Sequence, residues 1–265
     1  MRPAAASYSG NDEPMTKTLV ITGGASGIGA ETARRAAKRG YKVAVNYRSR
    51  DGQAKQIVAD IETAGGKALA LRGDMAHEDD IVRLFQETER ALGPITHLVN
   101  SAGIGYRTRV DEYDAARLAN LFAINTIGLM LCCREAARRM STRNGGKGGA
   151  IVNVSSMAST IGGRLGSSAY AATKGAVDSF TKGFAREAAA EGIRVNAVRP
   201  GMVMSEMTEK ALAEPAFRAR IEESIPMHRI GEGHEIAETI LWLLSDEASF
   251  ITGAMVDAAG GGYII

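Results

Sequence analysis

Tyr170 stands four residues before Lys174 in the run SSAYAATKG (167–175), a spacing that puts both side chains on one face of a helix. A tyrosine hydroxyl ordinarily titrates at about 10, so at neutral pH it is a poor base and a slow acid. A neighbouring ammonium favours the phenolate and would draw that pKa down toward the operating pH, where general acid–base catalysis works best. Read this way, Tyr170 could exchange a proton with a substrate oxygen. The plain alternative is two half-exposed side chains with packed stems and wet tips. Ser155 and Ser156 close a second run, GGAIVNVSS, and could add a hydrogen bond to the same oxygen. Successive side chains on a strand face opposite ways, so only one of the two can look into a cleft.

The elements that must position these groups are legible from Lys17 onward. Short apolar runs (KTLVIT, KVAVNY, KALALRG, THLVN, GGAIVNVSS, IRVNAVRPG) alternate with helical stretches ending near Arg39, over QAKQIVADIETA, near 79–91, from about 114 to 140 and from about 168 to 190. Each parallel crossover needs a long connection, so the alternation predicts a doubly wound (Rossmann) α/β fold, one parallel sheet with helices on both faces. No linker interrupts the rhythm, and residues 16–265 read as a single domain. Helices near 206–223 and 234–245 read as late insertions before a last strand at GAMVDA. Residues 1–15 read as a loose extension without the apolar stretch of a secretory signal.

Composition excludes several classes. Thirty-two basic and thirty acidic residues leave a net charge of +2, too little for a sequence-independent grip on nucleic acid. REAARRM (134–140) looks basic in isolation, but such residues suit a helix C-terminus. No apolar run reads as long enough to span a bilayer, and no membrane partner is expected. The four histidines are scattered without ligand spacing, so no catalytic metal is expected. Adjacent Cys132 and Cys133 read as packed thiols in a reducing, cytoplasmic setting.

The first strand runs into TGGASGIG, where Gly23, Gly27 and Gly29 precede a helix. Such glycines allow a sharp turn, close approach of backbone amides to a pyrophosphate and tight helix packing. The spacing is Gly-xxx-Gly-x-Gly, and with Thr22 it resembles the T-G-x-x-x-G-x-G signature of the short-chain dehydrogenase/reductase family. The resemblance extends over nearly the whole chain from Lys17, through GDM (73–75), NSAG (100–103), AINTIG (123–128), Ser156, Y-x-x-x-K and RPG (199–201). It implies a catalytic set of Asn125, Ser156, Tyr170 and Lys174. Lys174 would also bind the nicotinamide ribose, and Asn125 would hold a helix kink and a proton-carrying water. For the cofactor it implies Gly23, Ser26, Gly27, Ile28 and Gly29 at the phosphates, and Asn46, Tyr47 and Arg48 at the adenosine ribose. Asp74 and Met75 follow near the adenine, then Asn100, Ala102 and Gly103, then Tyr170 and Lys174, and Pro200, Gly201, Val203 and Ser205 around the nicotinamide. The family is often tetrameric, so self-association as a homotetramer is expected; burial of the apolar YII tail against another subunit would agree.

An acidic residue at the end of the second strand would bind a ribose 2′-hydroxyl and repel a 2′-phosphate. VNYRSRDG places Asn46, Tyr47 and Arg48 there instead, with Arg50 following, so NADP(H) is favoured over NAD(H). Ser26, where NADP-preferring relatives often carry a basic residue, counts the other way. The Ser156–Tyr170 gap is one residue longer than in the commonest members, and Ser205 replaces a usual threonine. The expected activity is hydride transfer between nicotinamide and a small ketone or secondary alcohol, of a 3-oxoacyl-carrier-protein reductase-like or sugar-dehydrogenase-like branch. GYRTR (105–109), the loop around Arg164 and MVMSEM (202–207) would line the substrate mouth. The alternative is a catalytically silent nucleotide-sensing protein on the same fold, which should have lost Tyr170 or Lys174.

Overall fold

The computed structural model describes residues 17–205, 208–209 and 212–262, so the 1–15 extension and the YII tail lie outside the described residues. Seven strands, β1 (Thr18–Thr22), β2 (Lys42–Tyr47), β3 (Ala68–Arg72), β4 (His97–Asn100), β5 (Gly149–Val154), β6 (Ile193–Pro200) and β7 (Met255–Ala258), form one sheet. Their order is β3-β2-β1-β4-β5-β6-β7, and every neighbouring pair is parallel. The fold is thus the expected doubly wound α/β sheet. The order reverses between β1 and β4, where a crevice opens outside the carboxyl ends of the strands.

Helices cover both faces. On one lie α1 (Gly27–Lys38) and α2 (Asp51–Thr63); on the other lie α3 (Glu78–Leu92), α4 (Ala115–Phe122), α5 (Leu129–Met140) and, after the short α6 (Ala158–Ile161), the long α7 (Ser168–Ala188). Because both faces are buried, alternate residues of one strand enter different cores. Leu19 and Ile21 pack with Val43, Val45 and Ile57 in the first, whereas Val20 and Ala44 pack with Ile81, Phe85 and Val177 in the second.

Between β6 and β7 lie α8 (Pro215–Ser224) and α9 (Gly233–Leu244); positions 206, 207, 210 and 211 of the first predicted helix lie outside the described residues. The second of these helices is no insertion. Ile236, Ile240, Leu241 and Leu244 of α9 belong to the first core, so it covers the sheet as α1 does. A reciprocal capping box between Glu232 and Glu235 starts it.

The helix read from 114 to 140 is broken by a wide π turn at Ala123–Gly128. Gly128, at the end of this turn, lets it press against the chain after β3, since a Cβ there would lie far inside contact distance of the Met75 carbonyl oxygen. By length and composition Ala115–Met140 does reach the character of a membrane-crossing helix, with a mean hydropathy of 1.5. Its apolarity serves the interior: Leu121, Leu129, Cys132, Cys133, Ala136 and Met140 are buried. The basic run REAARRM closes on itself, because Arg134, Arg138 and Arg139 all pair with the buried Glu135 carboxylate.

Candidate active site

Six strand ends deliver the predicted residues to one cavity of about 910 Å³. Gly23, Ser26, Gly27 and Ile28 line it after β1; Asn46, Tyr47 and Arg48 after β2; Asp74 and Met75 after β3. Ala102 and Gly103 follow β4, Ser155 and Ser156 follow β5, and Pro200, Gly201, Val203 and Ser205 follow β6, with Tyr170 and Lys174 from α7. Gly29, Asn100 and Asn125 stand behind this lining. A Cβ on Gly29 would approach the Gly23 carbonyl oxygen, a backbone atom, far inside contact distance, so this glycine lets α1 press against its own turn. Asn100 turns inward and donates to Asn153 Oδ1 at 2.9 Å and to Cys133 Sγ at 3.3 Å, away from the predicted cofactor contact.

The glycine turn has the form a pyrophosphate requires. Gly23 sits at φ +63°, and a Cβ there would be 2.8 Å from Ala102 Cα, so only glycine lets the β1 and β4 turns meet. Thr22 Oγ1 accepts the amides of Ser101 and Ala102, each at 3.2 Å, and holds those turns together. The N-terminus of α1 carries no acidic residue in its first turn and no side-chain cap from Ser26, leaving its amides for an anion. The residues present therefore fit a dinucleotide.

At the β2 end Asn46 differs from its expected role. Its Oδ1 accepts from the Gly23 amide at 3.2 Å and its Nδ2 donates to the Gly73 carbonyl at 3.0 Å, so the side chain braces the glycine turn against the β3 end. Tyr47 likewise turns its hydroxyl away, donating to Asp51 at 2.6 Å. Asp51, the first acid after β2, is also held by Lys55 at 2.8 Å. Arg48, Ser49 and Arg50 line the cavity at this end, and Arg48 reaches Asp74 at 3.8 Å.

The parity question at the β5 end is resolved by hydrogen bonds. Ser155 is buried and donates to the Lys174 carbonyl at 3.2 Å, beneath α7. Ser156 emerges on the other side, where it lines the cavity with Tyr170 and acts to lower that hydroxyl's pKa, while its Oγ accepts from the Ala158 amide at 3.1 Å. Lys174 is buried, with Nζ donating to the Val154 carbonyl at 2.8 Å and lying 5.8 Å from the Tyr170 ring centre. Behind them Asn125, in the π turn, accepts from the Ile104 amide at 2.8 Å and donates to the Ile104 carbonyl at 2.9 Å and to Thr173 Oγ1 at 3.2 Å. Asn125 thus sits within the π turn that interrupts the helix.

Comparison with known proteins decides the family. A family model described as enoyl-(acyl carrier protein) reductase matches residues 23–263. The chain is 45% identical over 243 residues to the uncharacterized oxidoreductase YgfF of Escherichia coli (strain K12), covering 91% of this chain and 98% of that one. It is 35% identical over 255 residues to the 3-oxoacyl-[acyl-carrier-protein] reductase FabG of Staphylococcus aureus, covering 94% and 99%. This chain belongs to the short-chain dehydrogenase/reductase family. A short-chain type dehydrogenase/reductase from Mycobacterium ulcerans superposes with a TM-score of 0.87 at 29% identity, covering 93% of this chain and 90% of that one. A dehydrogenase/reductase from Sinorhizobium meliloti 1021 gives 0.85 at 34% identity, covering 92% and 94%. As a family member the protein is an oxidoreductase that acts between CH–OH and ketone groups of small molecules with a nicotinamide cofactor.

The electrostatics of this short-chain dehydrogenase/reductase site correct one expectation. Burial pushes the Tyr170 hydroxyl above its ordinary value, and Ser156 only partly opposes this. Burial also pulls Lys174 down to about 8, with Asp178 opposing. Both groups share a low-dielectric pocket, where desolvation disfavours the charged form of each. Tyr170 is therefore held as the protonated phenol. Sequence reasoning also missed Thr208, whose hydroxyl donates to the Val203 carbonyl at 2.7 Å and lies 3.1 Å from Ser205 Oγ. Its signal was a second hydroxyl three residues after Ser205.

Proposed function

We propose that this enzyme reduces a ketone to a secondary alcohol with NADPH, with Tyr170 as the proton donor. The observation that carries the reading is the Ser156–Tyr170 hydroxyl pair, set at the cavity wall with the Lys174 ammonium buried behind it. The nicotinamide supplies the hydride. Ser156 and Tyr170 both donate to the carbonyl oxygen, orienting it and stabilising the charge that builds there. Tyr170 then gives up its proton, which completes the hydroxyl. Lys174 binds ribose hydroxyls and lowers the cost of the phenolate left behind. Asn125 anchors the Ile104 loop and the π turn, fixing the floor on which Lys174 rests.

NADP(H) over NAD(H) is supported by three features: Arg48 and Arg50 at the cavity end, no acid before Asp51, and Asp51 itself bound to Tyr47 and Lys55. The proposed phosphate sites are the amides at Gly23, Ser26, Gly27 and Ile28. We also assign residues 16–265 to one domain, acting in the cytoplasm as a homotetramer. The deciding experiment is NADPH oxidation with a ketone panel by wild type and Tyr170→Phe. Loss of turnover by roughly 10³-fold with NADPH binding retained is expected; full turnover without the hydroxyl would reject the assignment.

A further inference from the structure

Arg107 and Arg164 line the cavity, and Arg220 stands beside Arg164 at Phe217; among the described residues no acid pairs with any of the three. Arg107 follows β4, Arg164 lies between α6 and α7, and Arg220 is on α8. The two loops are joined where the Thr108 amide donates to the Gly166 carbonyl at 2.8 Å. Phe217 lies between two of the cations, with the guanidinium carbons of Arg164 and Arg220 each 5.5 Å from its ring centre. Their neighbours in sequence behave differently: Arg109 pairs with Asp111 at 3.0 Å and Arg218 with Glu222 at 2.9 Å. Among the described residues Arg107, Arg164 and Arg220 have no such partner.

Arg164 is the anomaly. Its Nη2 is shut off from solvent and makes no hydrogen bond among the described residues, although the residue lines the cavity. Burial, then the like charges of Arg107 and Arg220, lower its pKa, an arrangement that costs free energy as it stands. A buried donor without a partner, on a cation without a counter-charge, is explained when the partner arrives with the ligand. Guanidinium presents two parallel N–H donors suited to a carboxylate or phosphate, and the Phe217 ring beside it adds a cation–π contact.

We infer that Arg164, backed by Phe217 and flanked by Arg107, binds an anionic oxygen group, carboxylate or phosphate, carried by the ketone that Tyr170 protonates. The substrate class is therefore an oxo acid or an oxo phosphate rather than a neutral ketone. This rests on the proposed carbonyl reduction, whose own test is Tyr170→Phe.

The experiment compares matched pairs at low salt: acetoacetate and levulinate against their methyl esters, and dihydroxyacetone phosphate against dihydroxyacetone. Wild type should prefer the anion of at least one pair by about 10- to 100-fold in kcat/KM. The pair that shows it tells carboxylate from phosphate. Arg164→Gln should reduce that ratio at least ten-fold, with Arg164→Lys recovering part of it because a point charge replaces the fork. NADPH fluorescence confirms that each variant is folded. Calorimetric titration of levulinate and of dihydroxyacetone phosphate into the enzyme–NADPH complex gives a second readout that does not need turnover. Equal use of anion and neutral partner, a ratio unmoved by Arg164→Gln, or absence of Arg164-dependent binding of both anions each overturns the inference. Persisting turnover in Tyr170→Phe would instead strike the reduction chemistry and leave the anion site standing.

Discussion

Replacing Lys174 with methionine should make the folded chain more stable at pH 7 while removing its activity. The side chain is 5% exposed, and burial takes its pKa from 10.5 to about 8. At ~1.4 kcal/mol for each pH unit, holding that charge inside costs about 3 kcal/mol. Methionine has similar length and no charge, but gives up the bond to the Val154 carbonyl, worth about 1 kcal/mol for a neutral amine. The net expectation is a gain of about 2 kcal/mol below pH 8. The sign with pH follows from proton counting. Between about 8 and 10.5 the unfolded wild-type chain holds a proton that the folded chain has released, so wild-type stability rises across this window. The advantage of the variant is therefore full below about 8, shrinks above it and reverses at pH ~10, where the remaining penalty falls to the ~1 kcal/mol of the lost bond. Urea unfolding followed by circular dichroism, at fixed protein concentration, measures both curves. A variant less stable than wild type at pH 7, or a difference that stays constant from pH 7 to 10.5, would refute the reasoning.

Ultraviolet difference titration of wild type against Tyr170→Phe, without cofactor, should show no tyrosinate from residue 170 below about pH 10, because burial raises that group; a signal near neutrality contradicts the ordering of burial over charge. Gly29→Ala drives a Cβ into the Gly23 carbonyl, and should cost about 1–3 kcal/mol in unfolding free energy and weaken NADPH binding measured by fluorescence; an unchanged dissociation constant counts against the phosphate site. Arg48→Asp places an acid where the β2 end has none and should move the NADPH-to-NADH ratio of kcat/KM at least about ten-fold toward NADH, an unmoved ratio being evidence that Arg48 does not meet the 2′-phosphate. Ser156→Ala should lower kcat by about 10²-fold, whereas Ser155→Ala should act mainly on stability through its bond under α7; the reverse ranking would exchange their roles.

Strand rhythm, the glycine turn and the Tyr170–Lys174 pair were legible because each is a local pattern, set by backbone period and by what a few adjacent residues permit. The α9 helix was misplaced because its apolar stripe is readable but the surface it covers is not. Asn46 was read as a neutral cofactor contact; its use as a brace depends on Gly23 and Gly73, which arrive from other strands. The choice between Ser155 and Ser156 needed the position of α7, since alternation alone says that the two diverge without saying which way.

The amino-acid sequence by itself determined the sheet, its crevice and the identity of the groups gathered there, because periodicity and chain order dictate where parallel strands end. Only the tertiary structure decided the charge state of those groups and the company they keep. Burial, which raises Tyr170 and lowers Lys174, and the meeting of Arg164 and Arg220 around one aromatic ring are products of surfaces brought together from distant segments. Desolvation depends on everything that surrounds a side chain, and that surrounding exists only once the chain has folded.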